Sequence, residues 1–88
     1  MVISSAQLLK IMEDLGSDDL KRFQWFLTQG VLKAYTPIPK SCLENGDRID
    51  TVDKMVQSYT LDGAVTITLK ILMKMNQNSL AEKLKNNI

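Results

Sequence analysis

The stretch Ser17-Asp18-Asp19-Leu20-Lys21-Arg22-Phe23-Gln24-Trp25-Phe26-Leu27, running on to Gly30-Val31, decides the fold class. Leu20, Phe23, Leu27 and Val31 recur at steps of three and four, which places them on one helical face and predicts its burial. Lys21, Arg22 and Trp25 fall on the opposite arc. Ser17 reads as the N-cap, and Asp18 and Asp19 sit in the first turn, where the helix dipole favours negative charge. Gly16 stops a preceding helix, and Gly30 lies near the end of this one.

The helical period continues outward on both sides. Ser4 followed by Gln7 reads as a capping box that opens a first helix with Leu8, Met12 and Leu15 on one face. Thr36-Pro37-Ile38-Pro39 holds the only prolines and predicts an extended connector. Ser41 to Glu44 predicts a very short third helix, ended by Gly46. From Asp47 to Tyr59 a fourth helix puts Ile49, Val52, Val56 and Tyr59 on one face with Met55 beside them. Asp50 and Lys54 point the other way, and Asp53 lies on the flank. Asp62-Gly63 opens a fifth helix to Met75, with Lys70 and Lys74 in a narrow solvent strip. Its apolar arc is so wide that it must sit at the centre of the bundle. Leu80 and Leu84 mark a last helix that frays into residues 85–88. Ala64 to Leu69 is rich in β-branched residues, yet its apolar spacing continues helically to Met75. The expected fold is all-α, a six-helix antiparallel bundle with a short third helix. It forms one domain across residues 1–88, with a helical core over about residues 5–85.

Composition sets the class. Eighty-eight residues make one domain, and a 44% hydrophobic fraction with 24% charged residues supports a packed core and argues against disorder. Cys42 is the only cysteine, so no internal disulfide can form and a reducing, cytoplasmic setting is expected. Met1-Val2-Ile3-Ser4-Ser5 lacks a cationic start and a long apolar run, so no leader peptide is expected. No stretch approaches the roughly 18 apolar residues of a membrane span.

Charge alternates in blocks. Residues 1–20 carry Glu13, Asp14, Asp18 and Asp19 against Lys10, whereas residues 21–40 carry Lys21, Arg22, Lys33 and Lys40 with no acid. Residues 41–62 return to net negative through Glu44, Asp47, Asp50, Asp53 and Asp62, and residues 63–88 to net positive. The total of +1 therefore hides a dipolar chain. If the blocks fold onto separate faces, one copy offers both halves of an electrostatic contact.

Equipment for chemistry is missing. The chain has no histidine, which removes the commonest general base and zinc ligand, and a catalytic thiol at Cys42 would lack its usual partner. Ser4, Ser17 and Ser41 occupy cap positions. Asp47, Asp50 and Asp53 recur at three-residue steps but lack the EF-hand pattern. No enzyme activity, metal, cofactor or small-molecule substrate is expected. Balanced charge also argues against a nucleic-acid binder. Lys21, Arg22 and Lys33 leave a small helical nucleic-acid module as the alternative, testable by mobility shift at physiological salt.

The order of these segments resembles a pyrin domain, a member of the death-fold superfamily. Leu8-Leu9, Glu13-Asp14-Leu15 and Asp19-Leu20-Lys21-Arg22-Phe23 are similar to its first two helices. Ile38-Pro39-Lys40 resembles the loop before its short third helix. Asp47 through Asp53-Lys54-Met55-Val56, Ala64-Val65 through Leu72 and Met75, and Leu80-Ala81-Glu82-Lys83-Leu84 resemble the last three helices.

The resemblance implies a cytoplasmic module of innate immunity and apoptosis signalling that binds its own kind. Its expected partners are a pyrin-containing adaptor and further copies of itself, assembling as a helical filament that activates inflammatory caspases. It implies an acidic face at Glu13, Asp47, Asp50 and Asp53 and a basic face at Lys21 and Lys40, with Arg22 adjoining. Phe26 departs from adaptor-type domains, which often carry lysine there, so an apolar contact replaces a basic one. Trp25 has two readings, a cover over the Lys21 stem or an aromatic anchor for a partner. The wording of residues 15–27 and 37–40 looks nearest to the N-terminal pyrin domain of a Nod-like receptor, with adaptor and caspase parentage as alternatives. Charge reversal at Lys21 or Asp50 is expected to spare the fold and block assembly.

Overall fold

The computed structural model describes residues 4–86. Residues 1–3, on which part of the expected absence of a leader rests, and residues 87–88 lie outside them. Of the fraying expected over residues 85–88, Lys85 and Asn86 instead remain in the last helix. The helices are α1 (Ser5–Glu13), α2 (Ser17–Thr28), α3 (Lys40–Leu43), α4 (Arg48–Lys74) and α5 (Asn78–Asn86). This makes an all-helical bundle, as expected. The count corrects the expected six to five elements. Residues 48–74 form one element with a break inside it, where Thr60 takes φ 67° and ψ 171°. Two helices were expected there, and the two arms on either side of Thr60 occupy their places. The break at Thr60 falls in the gap expected between the end of the fourth helix at Tyr59 and the start of the fifth at Asp62-Gly63.

Local chemistry explains most boundaries. The Ser4 capping box forms as expected: Gln7 N–H donates to Ser4 Oγ at 3.2 Å and Ser4 N–H donates to Gln7 Oε1 at 2.8 Å. The N-cap of α2 is Gly16 without a side-chain bond, so Ser17 is the first helical residue rather than the cap. Asp47 and Asp50 form a second capping box at the start of α4, an acid at each position of the pair. Asn76 at φ 61° ends α4, with its N–H donating to Met73 O at 3.1 Å and Gln77 N–H to Leu72 O at 2.9 Å. These are the two bonds of a Schellman motif, in which asparagine tolerates the left-handed conformation.

Leu8, Ile11, Met12, Leu15, Phe23 and Leu27 bury the inner faces of α1 and α2 against α4. Helix α4 as a whole touches all four others. The central place was expected of its second arm alone, where Ala64, Val65, Ile67, Thr68, Ile71 and Leu72 are buried. Its first arm is turned relative to expectation. Thr51, Val52, Met55 and Tyr59 face inward, whereas Ile49 is 55% exposed. A threonine can occupy that core position because its hydroxyl donates to Asp47 O at 2.8 Å and accepts from Gln24 Nε2 at 2.9 Å.

The connector between α2 and α3 is pinned rather than loose. Ile38 is buried and its N–H donates to Leu27 O at 3.0 Å. Tyr59 O–H donates to Thr36 O at 2.6 Å, and the Tyr35 and Tyr59 rings meet edge to face at 5.2 Å. Burial raises the Tyr59 pKa above the ordinary phenol value.

Candidate functional site

Because Leu20, Phe23 and Leu27 point inward, Lys21, Gln24, Trp25 and Thr28 form a stripe along the outside of α2. The pinned connector delivers Lys40, Leu43, Glu44 and Asn45 opposite that stripe. Together with Gln29 they line a groove of about 570 Å³. Gln24 closes its floor, donating from Nε2 to Gly46 O at 3.1 Å as well as to Thr51. Lys21 and Lys40 are exposed at this groove. Arg22 is exposed too, but does not line it. Trp25 is 57% exposed, with its ring edge-to-face on Phe26 at 5.1 Å. Of the two readings of Trp25, that exposure leaves most of the ring available to a partner.

A second groove of about 400 Å³ runs between α1 and the start of α4, lined by Leu9, Glu13, Asp47, Arg48 and Ile49. Leu9 and Glu13 share a face of α1 at i and i+4. Arg48 turns inward, its Nε donating to Met12 O at 3.0 Å and its Nη2 to Leu15 O. Its charge therefore rests on the carbonyl end of α1, where a cation suits the dipole. Asp50 is exposed beside the groove, and its carboxylate is engaged with the Asp47 N–H at 3.2 Å. Asp53 is exposed further along the flank.

Glu13 and Asp47 thus share one depression, Lys21, Lys40 and Trp25 the other, and Asp50, Asp53 and Arg22 lie outside both. Two acids of the first block are occupied elsewhere. Lys83 Nζ pairs with Asp14 Oδ2 at 2.9 Å, and Gln77 Nε2 donates to Asp19 Oδ2 at 2.9 Å. Among the described residues the Lys83–Asp14 contact is the one ion pair, so no acid of the predicted face is neutralised by the predicted basic residues.

Sequence reading missed Leu9, Gln24 and Arg48 and assigned Ile49 to the core. A signal existed for Ile49 alone, which stands between the acids Asp47 and Asp50 in a first turn. Among the described residues no three His, Cys, Asp or Glu side chains converge to hold a metal ion. No helix among them is long and apolar enough to cross a membrane.

A helical bundle with two oppositely charged grooves and an exposed tryptophan defines the class as a protein-interaction domain. The PAAD/DAPIN/Pyrin domain family matches residues 7–82, and the chain belongs to that family. It is 47% identical over 83 residues to Caspase b of Danio rerio, covering 93% of this chain and 20% of that protein. It is 36% identical over 78 residues to NACHT, LRR and PYD domains-containing protein 6 of Rattus norvegicus, covering 89% of this chain and 9% of that protein. Identity to Apoptosis-associated speck-like protein containing a CARD of Mus musculus is 34% over 79 residues, covering 89% of this chain and 41% of that protein. The chain therefore spans less than half of each of these relatives. Pyrin domains are non-catalytic modules of homotypic interaction, and this chain is homologous to the matching regions of the NACHT and speck-like proteins.

Proposed function

We propose that the Glu13–Asp47 groove of one copy docks against the Lys21–Lys40 groove of another pyrin domain. The contact recruits a pyrin-containing adaptor and nucleates an inflammasome that activates inflammatory caspases. One observation carries this reading: Lys21 and Lys40 outnumber Glu44 in one groove, Glu13 and Asp47 outnumber Arg48 in the other, and each groove adds apolar surface, Trp25 on the basic side, Leu9 and Ile49 on the acidic side. Exposed ion pairs contribute only about 0.2–1 kcal/mol each. Carboxylates and ammonium groups therefore orient the partners, while the apolar centres supply most of the affinity. The grooves lie on different elements, so each copy keeps one free after a first contact. Repetition of such a head-to-tail contact builds a filament. The exposed, unpaired Cys42 suits the reducing cytoplasm in which we place the domain.

The test is charge reversal at Glu13 and Lys21. Asp50 is unsuitable, because its carboxylate also caps α4. Glu13 ends α1 and Lys21 lies early in α2, so lysine at the former and glutamate at the latter both suit the local dipole. Glu13→Lys and Lys21→Glu are each expected to keep the helical circular dichroism and to lose self-association in sedimentation. Mixing the two restores it. Association of either single variant at the wild-type level would falsify the reading.

The identity to Caspase b, higher than that to the NACHT protein, favours a second reading of parentage, in which the same docking surface serves a caspase chain. Sequencing the transcript that carries this domain separates the two, since one parent continues into a nucleotide-binding module and the other into a protease.

A further inference from the structure

We propose that Arg48 is a positioning residue that builds the acidic groove, an inference that rests on the docking reading above. The residues it joins alternate with those that line the groove. Its two acceptors, Met12 O and Leu15 O, bracket Glu13 on α1, and Arg48 itself is bracketed by Asp47 and Ile49 on α4. The clamp thus sets the separation of Glu13 and Leu9 from Asp47 and Ile49. The Asp47–Asp50 capping box fixes the direction of the first turn of α4, and Arg48 ties that turn to the end of α1. A planar fork is required to reach two carbonyls at once, which a lysine ammonium on a flexible stem does not reproduce.

Charge and position make opposite predictions for this residue. Arg48 is a cation in an acidic groove, so a purely electrostatic role means that its removal tightens binding to a basic partner. A positioning role means that removal weakens it.

The test uses two copies, each with one usable groove. A Lys21→Glu copy presents only the acidic groove. A Glu13→Gln/Ile49→Gln copy presents only the basic one, and adds no new charge partner for Glu at position 21. Calorimetric titration of one with the other reads a single contact. Arg48→Met in the first copy is expected to raise Kd roughly tenfold or more, as for the loss of an aligned contact group. The same change in the second copy, where the acidic groove is unused, leaves Kd within about twofold, since surface effects away from a contact are small. Arg48→Lys in the first copy keeps the charge and loses the fork, so it weakens binding as well. It also supplies the result if Arg48→Met does not fold. Equal weakening in both copies marks general damage and overturns the proposal. Tighter or unchanged binding from the first copy, or full rescue by lysine, overturns it too. No binding between the two parent copies overturns the docking reading itself, and this inference with it.

Discussion

Tyr59 shows how one side chain holds a surface it does not touch. Its hydroxyl donates to Thr36 O and its ring meets Tyr35, so the connector that delivers Lys40 is fastened to the core at this point. Tyr59→Phe removes the hydrogen bond and leaves Thr36, which is exposed, open to water. We expect a loss of about 1 kcal/mol in urea unfolding. The pH dependence follows from burial, which raises the folded-state pKa of Tyr59 above the unfolded value. Stability from this residue is fully present below about pH 10, the unfolded phenol value. It is lost as pH rises through the higher folded value. The stability gap between wild type and Tyr59→Phe should therefore be constant at neutral pH and shrink in alkali. A gap that stays constant through the alkaline limb contradicts this account. At the same scale, capping at Ser4 was legible, because it rests on residues three apart in the chain. The Asp47–Asp50 box has the same spacing, but an acid at both positions departs from the usual pattern and it was not read. Arg48 and Gln24 were not legible, since their acceptors lie 33 to 36 and 22 to 27 residues away.

At the scale of the element, α4 decides the shape of the bundle. Two helical arms were readable from its periodicity, the first ending at Tyr59 and the second opening at Asp62-Gly63, and the break at Thr60 falls between them. Gly63 serves a different need, the close approach of two tyrosines. A Cβ there would lie 2.9 Å from Tyr59 Cβ and 3.0 Å from Tyr35 Cε1. Two effects compete in Gly63→Ala. Helix propensity favours alanine by about 0.8–1.0 kcal/mol, whereas overpacking against a fixed Cβ costs about 1–3 kcal/mol. The clash prevails because the Tyr59 Cβ is part of the helix and cannot swing away. We expect Gly63→Ala to lower stability by about 1 kcal/mol, shifting Tm down by about 4–8 °C in a domain of this size. A raised Tm would show that the tyrosines can move apart. Ile49 illustrates the limit of periodicity: its step pattern matches Val52 and Val56, yet the satisfied hydroxyl of Thr51 takes the interior place.

For the whole molecule, the docking proposed above assigns dipolar charge and apolar grooves to different stages. Long-range attraction between opposite faces accelerates encounter and is screened over about 8 Å at physiological ionic strength. The proposed contact between Trp25 and the Leu9–Ile49 surface would resist separation and be nearly insensitive to salt. For the pair of single-groove copies, raising salt should slow association several-fold while dissociation changes little, as read by stopped-flow tryptophan fluorescence. A salt effect confined to the dissociation rate would contradict the division of labour proposed here. Silent Trp25 emission on docking would remove the aromatic anchor.

The chain by itself determined the helical class, the alternation of charge and the family, because periodicity and charge order are properties of neighbours in sequence. Tertiary structure alone decided which charges share a groove. Asp14 and Asp19 belong to the same acidic block as Glu13, yet Lys83 and Gln77 occupy them while Glu13 stays free. Those assignments depend on where the α4–α5 turn and the second half of α5 come to rest against α1 and α2, and the packing of buried side chains sets that placement.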